Sequence, residues 1–240
     1  QDIGLVTAQN QYVQDVQNGE LFDIGTANTT KSRGGSESQI NDVTFSSDGT
    51  KIYECGRERS KIYQQTLSNP FDIAQVTSSK SINSQDSRPN GITFGDNGSR
   101  LYEIGRDTER IYQYSLSNPF DIGSASVQKS ISSNDSTPQG LTFDDSGTKL
   151  YEIGDGGTIF QSNLTTAFDI GTATLSQSIG TARSQGEDIE FNPDGTRMYE
   201  SSLESSGGFI SQSILSTPFD ITTASFDKSI NAEDTRPRGI

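Results

Sequence analysis

The triplet Phe-Asp-Ile recurs along the 240-residue chain, and its regular spacing constrains the fold more than any other feature. The copies begin at Phe22, Phe71, Phe120, Phe168 and Phe219, so successive copies lie 49, 49, 48 and 51 residues apart. A period of this length indicates one supersecondary unit stacked repeatedly, because a single unit cannot bury its apolar face alone. The repeats span residues 41–89, 90–138, 139–185 and 186–237.

Within each repeat, apolar and polar residues alternate with a period of two, and clusters of turn residues interrupt the alternation. In the second repeat the first strand is predicted over Ile92 to Phe94, followed by the turn sequence GDNGS. The glycine of this turn supplies the positive φ that a tight hairpin needs. Three more alternating segments complete the repeat, which gives four short strands. Four strands every ~45 residues are typical of a β-propeller blade, so we predict an all-β propeller of antiparallel strands.

The two ends of the chain hold complementary parts of one further blade. Residues 1–40 match the second, third and fourth strands of the repeat, and Arg238-Gly239-Ile240 match the beginning of a first strand. We therefore predict a single domain over 1–240, a five-bladed propeller whose closing blade is 1–40 plus 238–240. Closure removes exposed sheet edges. The alternative is that the 240 residues are a fragment of a longer array with six or seven blades.

Composition limits the partners of the protein. Only 29% of the residues are hydrophobic, which suits thin apolar layers between blades, and 32 acids against 18 bases give a net charge of −14. This charge excludes nucleic acid as an expected partner, because a polyanion would be repelled. No apolar run of 18 residues exists, so we predict no membrane insertion. The acidity is consistent with solubility outside the cell.

The residue types that are missing exclude several kinds of site. Histidine is absent, which removes Ser-His-Asp and Cys-His nucleophile activation and every zinc site that needs histidine. Cys55 is the only cysteine, so no disulfide forms within the chain. The DGT turns lack the Asp-x-Asp-x-Asp-Gly pattern of a calcium loop. We therefore predict no metal site and no cofactor.

The recurring motifs DGT-K-[IL]-Y, [IL]-Y-Q, N-P-F-D-I and S-I-x-x-x-D-x-x-P resemble a propeller repeat of secreted and surface proteins of marine bacteria and of virus structural proteins. The five-bladed plan with terminal closure also resembles the tachylectin type of sugar-binding propeller. These resemblances imply an extracellular, secreted or virion-surface protein. They imply glycans or a cell-surface receptor as partners, with other subunits of an assembly as further candidates.

The loops of one propeller face carry the candidate ligand-binding residues. Loops between the second and third strands, and from the fourth strand to the next blade, surround the channel mouth. Acid and guanidinium groups there are able to hydrogen-bond the vicinal hydroxyls of a sugar. The predicted ligand-binding residues are Arg57, Asp86, Arg88, Arg106, Asp135, Asp155, Asp234 and Arg236. The alternative is structural: each Asp caps its own loop and each Arg pairs with it.

A second set of acids breaks the repeat instead of following it. Glu187, Asp188 and Glu190 cluster on one predicted first strand, where Glu190 replaces the threonine found at Thr142 and its equivalents. A glycosidase needs only carboxylates for acid, base and nucleophile roles, and one active site needs residues that differ between blades. These three residues are therefore the candidate catalytic residues if the protein is an enzyme.

Each second strand also carries a Tyr-Glu pair, at Tyr53, Tyr102, Tyr151 and Tyr199 with the glutamate that follows. Strand alternation places the glutamate on the side opposite the tyrosine. A carboxylate repeated on a partly apolar strand needs a partner, because an unpaired buried charge is costly. Pairing with an arginine or the recurrent glutamine of a neighbouring blade is the favoured interpretation, and a cation site is the alternative.

Because most loop residues follow the repeat, we predict a non-catalytic, multivalent carbohydrate-binding module. One alternative is a structural or receptor-binding protein of a virion or another extracellular assembly. A second alternative is a glycosidase that uses the carboxylates near the channel.

Overall fold

A computed structural model describes residues 33–232 together with Asp23, Ile24, Lys31, Pro237 and Gly239. In this part of the chain four sheets are formed, each from four consecutive strands. Blade 1 contains β1 (Ile40–Phe45), β2 (Lys51–Gly56), β3 (Lys61–Leu67) and β4 (Val76–Asn83). Blade 2 contains β5 (Pro89–Gly95), β6 (Arg100–Gly105), β7 (Arg110–Leu116) and β8 (Ala125–Ser132). Blade 3 contains β9 (Pro138–Phe143), β10 (Lys149–Gly154), β11 (Thr158–Leu164) and β12 (Ala173–Gly180). Blade 4 contains β13 (Gly186–Phe191), β14 (Arg197–Glu204), β15 (Gly207–Leu215) and β16 (Ala224–Asn231).

The strands of each blade pair antiparallel with their neighbours in the sequence, as the period-two alternation predicts. The first strands β1, β5, β9 and β13 lie next to one another and line the propeller axis. The fourth strands are the outermost, and their side chains are largely exposed. The all-β propeller prediction is confirmed by this arrangement.

A thin apolar layer fills each interface between consecutive blades. Between blades 1 and 2, Tyr53 and Ile62 pack against Ile92, Leu101 and Ile122. Equivalent residues fill the interfaces between blades 2 and 3 and between blades 3 and 4. The low hydrophobic content is therefore sufficient, because every blade shares its apolar face with a neighbour.

The Phe-Asp-Ile triplet fixes the turn between the third and fourth strands. Phe120 adopts a positive φ of 57°, and its N–H donates to the carbonyl of Gly98 at 2.9 Å. The Phe120 ring covers Gly98, where an added Cβ would lie 2.3 Å from it. Asp121 accepts the N–H of Gly123 and caps a short 3-10 helix, Ile122–Ser124.

No helix in the described part of the chain is long and apolar enough to span a membrane.

Hydrogen bonds from recurrent side chains join each blade to the next. The Gln64 side-chain oxygen accepts the N–H of Ile122 at 2.9 Å, and Gln113 accepts that of Ile170 at 3.1 Å. Further out, Lys80 pairs with Asp121 at 2.7 Å. The repeat thus encodes contacts between blades as well as strands within blades.

The glutamate of each Tyr-Glu pair holds the loop that enters its blade. Glu103 accepts backbone N–H groups of Gln85 and Asp86, and Glu152 accepts the N–H of Asn134 at 2.9 Å. Arg33 pairs with Glu54. The predicted arginine partner is therefore present at Glu54, but Glu103 and Glu152 bond loop groups and neither an arginine nor the recurrent glutamine. The recurrent glutamine instead joins the next blade.

The described residues form four blades and not the five that the sequence predicts. The predicted closing blade is 1–40 plus 238–240, and most of those residues lie outside the described part of the chain. Three described residues of that segment nevertheless make the inter-blade contacts of the repeat. Gln212 accepts the N–H of Ile24 at 3.1 Å, Lys228 pairs with Asp23 at 2.7 Å, and Lys31 pairs with Asp72 at 2.8 Å.

Candidate functional site

The first strands place a ring of polar side chains at one end of the axis. Asn41 donates from Nδ2 to Oδ1 of Asn90 at 3.1 Å, and Asn90 donates to Oε1 of Gln139 at 2.6 Å. At the equivalent position blade 4 carries Glu187 instead of an amide, and this carboxylate is only 7% exposed. The ring is therefore neutral on three blades and acidic on the fourth.

Above this ring lies a cavity of about 300 Å³, which we call the mouth cavity. Its lining combines residues from the innermost strands with residues from the loops of several blades. The lining residues are Arg57, Arg88, Arg106, Gln139, Asp155, Gln185, Glu187 and Leu203. Four of the predicted ligand-binding residues, Arg57, Arg88, Arg106 and Asp155, are thus brought together with one predicted catalytic residue, Glu187.

The polar groups of the mouth cavity are held by defined contacts. Arg106 Nη1 lies 2.6 Å from Asp155 Oδ2, and Gln139 donates to Asp155 Oδ1 at 2.5 Å. Arg57 donates from Nε to Gln39 Oε1 at 2.5 Å, and Arg88 lies 3.7 Å from Asp107. The lining holds three guanidinium groups against two carboxylates in a chain of net charge −14, and the carboxylate that pairs with Arg88, Asp107, lies outside the lining. Such a cavity favours an anionic ligand.

Below the mouth cavity, the channel holds carboxylates at positions where the other repeats have no acid. Asp188 follows Glu187 on β13, and Glu190 lies about 10 Å deeper than Glu187 at the usual rise of a strand. Thr142 donates to Glu190 Oε2 at 3.0 Å. Asp42 on β1 accepts the N–H of Ile92 at 2.7 Å. Glu187, Asp188 and Glu190 all lie on β13.

Burial and the charge of Asp188 raise the pKa values of Glu190 and Asp42. The pKa of Glu190 rises to about 8, first because of burial and then because of the Asp188 charge, against the hydrogen bond from Thr142. Burial likewise raises the pKa of Asp42, and the Asp188 charge adds to the effect. Glu190 is therefore mostly protonated at neutral pH and able to donate a hydrogen bond.

Glycines in the other blades make room for these acids. Asp42 and Asp188 occupy the position that is Gly91, Gly140 and Gly239 elsewhere in the repeat. A Cβ at Gly140 would lie 2.3 Å from Asp188 Oδ1, and one at Gly239 would lie 2.6 Å from Asp42 Oδ1. Asp42 is not among the predicted site residues, although it departs from the glycine of the repeat in the same way as Asp188.

The structural interpretation applies to two predicted ligand-binding residues. Asp86 is buried, and it accepts the N–H of Arg88 at 2.6 Å and that of Thr108 at 2.8 Å. Asp135 accepts the N–H of Thr137 at 2.7 Å. Neither residue lines the mouth cavity. The prediction that they bind a ligand is therefore corrected: both carboxylates cap their own loops. Asp234 and Arg236, the other two predicted residues, lie outside the described residues.

Arg183 replaces the capping acid at the entry to blade 4. Its guanidinium stacks over Phe209 at 3.9 Å and lies 3.4 Å from Glu204. Beside it a second cavity of about 880 Å³ adjoins the mouth cavity, sharing Asp155, Gln185 and Leu203 with it. Arg183 is not among the predicted site residues, although it aligns with Asp86 and Asp135 in the repeat.

No group of three or more acidic or cysteine side chains among the described residues has an arrangement that suits a metal ion. The mouth cavity presents carboxylate, amide and guanidinium groups. A carboxylate is able to take a proton from water, and guanidinium groups are able to stabilise an anion or an oxyanion.

Comparisons with known proteins bear on the fold and on the expected function. No protein-family model matches the chain, and no curated protein matches it. Solved structures do match. A putative 6-phosphogluconolactonase from Bacteroides fragilis has 14% identity and a TM-score of 0.55, over 86% of this chain and 60% of that one. The periplasmic gluconolactonase of Pseudomonas aeruginosa has 12% identity and a TM-score of 0.56, over 82% of this chain and 55% of that one.

A third match, the hydrazine synthase of Kuenenia stuttgartiensis, has 15% identity and a TM-score of 0.53, over 86% of this chain and 53% of that one. The chain thus spans little more than half the length of these three proteins. At these identities the likeness establishes the propeller fold and no activity. It agrees with the sheets described above.

The comparisons contradict the prediction of a non-catalytic carbohydrate-binding module. Two of the similar structures carry the names of lactonases, which are enzymes. The structure adds a physical reason, because the mouth is not made of equivalent sites. Arg57 and Arg106 occupy one repeat position that is Asp155 in blade 3 and Leu203 in blade 4. Multivalent binding requires loops that are alike, and these loops differ.

Proposed function

We propose that this protein is a hydrolase that opens the cyclic ester of an acidic or phosphorylated sugar acid in the mouth cavity. The observation that carries the proposal is Glu187, a buried carboxylate that faces a cavity lined by three arginines. In the other described blades the same position holds an amide, which has no basic group. The names of the similar lactonases support the choice of a lactone as substrate.

In the proposed reaction Glu187 takes a proton from a water molecule as the water oxygen attacks the lactone carbonyl carbon. The carbonyl oxygen becomes an oxyanion, which an arginine of the mouth stabilises. The bond between the carbonyl carbon and the ring oxygen then breaks. The proton held by Glu187 passes to the departing oxygen, so that a carboxylic acid and a hydroxyl form and the enzyme is regenerated. The carboxylic acid then releases its own proton to water and becomes a carboxylate.

The arginines account for the preferred charge of the substrate. Guanidinium groups bind phosphate and carboxylate through paired hydrogen bonds. Arg88 and Arg106 are partly exposed toward the cavity, and Asp155 and Gln139 orient the second of them. A lactone that carries a phosphate is therefore the preferred substrate over a neutral lactone of the same ring size.

The test measures proton release with δ-gluconolactone and 6-phosphogluconolactone, corrected for hydrolysis in buffer. Glu187→Gln preserves the shape of the side chain and introduces the amide that blade 3 has at the equivalent position, Gln139. We expect this change to lower kcat by roughly 100-fold or more. Glu58→Gln, an exposed change that does not touch the cavity, is the matched control. A wild-type rate equal to that of buffer, or a Glu187→Gln variant of full activity, would refute the proposal.

We also propose that residues 1–40 and the C-terminal end complete a fifth blade. The contacts of Ile24, Asp23 and Lys31 with blades 4 and 1 support this, because they repeat the contacts between the other blades. Deletion of residues 1–32 is expected to abolish cooperative thermal unfolding near the wild-type Tm. An unchanged Tm would show that this segment is not a blade.

A further inference from the structure

A third cavity of about 300 Å³ lies at the opposite end of the propeller from the mouth cavity, where the first and second strands are joined. We call it the aromatic cavity. It extends between blades 2 and 3, and one residue of blade 1, Ser47, completes it. Its walls are phenylalanine rings that are only half buried, from Phe94, Phe120, Phe143 and Phe168.

Carboxylates surround these rings. Asp96 and Asp145 belong to the hairpins of blades 2 and 3, and Asp145 is exposed at the rim. Asp144 is buried and accepts the N–H of Lys149 at 2.7 Å. Arg100 Nε lies 3.3 Å from Asp96, and Lys51 Nζ donates to the carbonyl oxygen of Phe120 at 3.0 Å. The three lining carboxylates therefore outnumber these two nearby cations. Aromatic faces and negative charge together attract a cation.

The hairpin of blade 2 departs from the repeat at this cavity. Gly95 stands where the other described blades have Ser46, Asp144 and Asn192. The Phe168 ring occupies the space of the missing side chain, because a Cβ at Gly95 would lie 2.5 Å from it. The cavity therefore belongs to one interface and is not a feature of every repeat.

We infer that the aromatic cavity binds a small organic ammonium ion, with a quaternary ammonium head preferred over a primary one. A quaternary head is weakly hydrated and has no N–H to satisfy, which suits walls of phenylalanine rings. The carboxylates at the rim supply the counter-charge. A primary ammonium is strongly hydrated and would lose hydrogen bonds to water on entry. This site is separate from the mouth cavity and is independent of the proposed hydrolysis.

Calorimetric titration of the full chain with choline tests the inference, and 3,3-dimethylbutanol is the neutral isostere. We expect saturable binding of one choline per chain, weaker binding of methylammonium, and no saturable binding of the isostere. Phe143→Leu should weaken choline binding roughly 3- to 30-fold, the range of a cation–π contact. Asp145→Asn, an exposed change that leaves the packing intact, should weaken it in the same direction.

Phe191→Leu is the matched control for Phe143→Leu. Phe191 contacts Tyr151 and Phe219 at ring distances of 4.6 and 5.5 Å, and Phe143 contacts Tyr102 and Phe168 at 4.5 and 5.6 Å. The two changes remove similar packing, but only Phe143 lines the aromatic cavity. Equal binding of choline and its neutral isostere, equal effects of the two leucine variants, or no saturable choline binding would overturn the inference.

Discussion

The hydroxyl of Tyr102 in blade 2 donates to the carbonyl oxygen of Phe168 in blade 3 at 2.6 Å. The same bond joins Tyr53 to Phe120 and Tyr151 to Phe219, at 2.6 Å each. Phe168 has a positive φ of 59°, and its carbonyl accepts hydrogen bonds from Tyr102 and Arg100 of the preceding blade. The tyrosine hydroxyl of one blade thus stabilises, by a hydrogen bond, the Phe-Asp-Ile turn of the next blade.

Tyr102→Phe removes this bond without changing the volume of the buried ring. Arg100 still donates to the same carbonyl at 2.6 Å, so the expected loss in the free energy of unfolding is about 1 kcal/mol. Urea denaturation measures it. Tyr112→Phe is the control, because the Tyr112 hydroxyl bonds Thr108 within its own blade. Equal stability of the Tyr102→Phe variant and the wild type would contradict this role for the bond.

Gly147→Ala should be more damaging. Gly147 has a φ of +68°, and an added Cβ would lie 2.4 Å from the Phe168 ring. Backbone strain and the displaced ring together should cost about 2 kcal/mol or more. Gly34→Ala is the control, since nothing lies within 4 Å of the Cβ position there. If the two variants unfold at the same urea concentration, the contact between glycine and ring is not part of the stability.

Glu200 makes the stability of blade 4 depend on pH. Burial raises its pKa from 4.5 to about 7, against the hydrogen bond from the N–H of Ala182. The unfolded state therefore loses its proton first, and the free energy of unfolding falls as pH rises from about 4.5 to about 7. The full effect of this group is about 3 kcal/mol.

Glu200→Gln keeps an acceptor for Ala182 and removes the titration. We expect stability close to that of the wild type at pH 4 and a gain of about 1–3 kcal/mol at pH 8, measured by urea denaturation. Glu109→Gln, at an exposed position, should leave the pH dependence unchanged. Parallel stability curves for Glu200→Gln and the wild type between pH 4 and 8 would refute the role of Glu200.

Arg106 should determine the preference for a phosphorylated lactone if the mouth cavity is the active site. Arg106→Met should raise the KM for 6-phosphogluconolactone about 10-fold or more, because a hydrogen bond to a charged group contributes about 1.5–3 kcal/mol. The KM for δ-gluconolactone should change little. Arg110→Met is the control, since Arg110 bonds Ser130 on the outer strand. Equal changes for both substrates would assign Arg106 a structural role.

Much of the fold was predictable because it is local and repeated. Alternation and turn glycines define the strands. The contact of Phe120 with Gly98, repeated in each described blade, requires a fixed distance along the chain between the hairpin glycine and the triplet. Asp86, a loop cap, is indistinguishable in the sequence from Asp155, a cavity residue, because both are acids in loops at the same end. The difference lies in which backbone N–H groups surround each carboxylate.

The sequence by itself determined the propeller, its period and the acids that break the repeat, since these follow from patterns within about 49 residues. Only the tertiary structure decided which side chains share a cavity. Arg57, Arg106 and Glu187 come from three blades, and the stacking of those blades brings them together. It also raised the pKa values of Asp42 and Glu190, because burial and the charge of Asp188 depend on neighbours far apart in the chain.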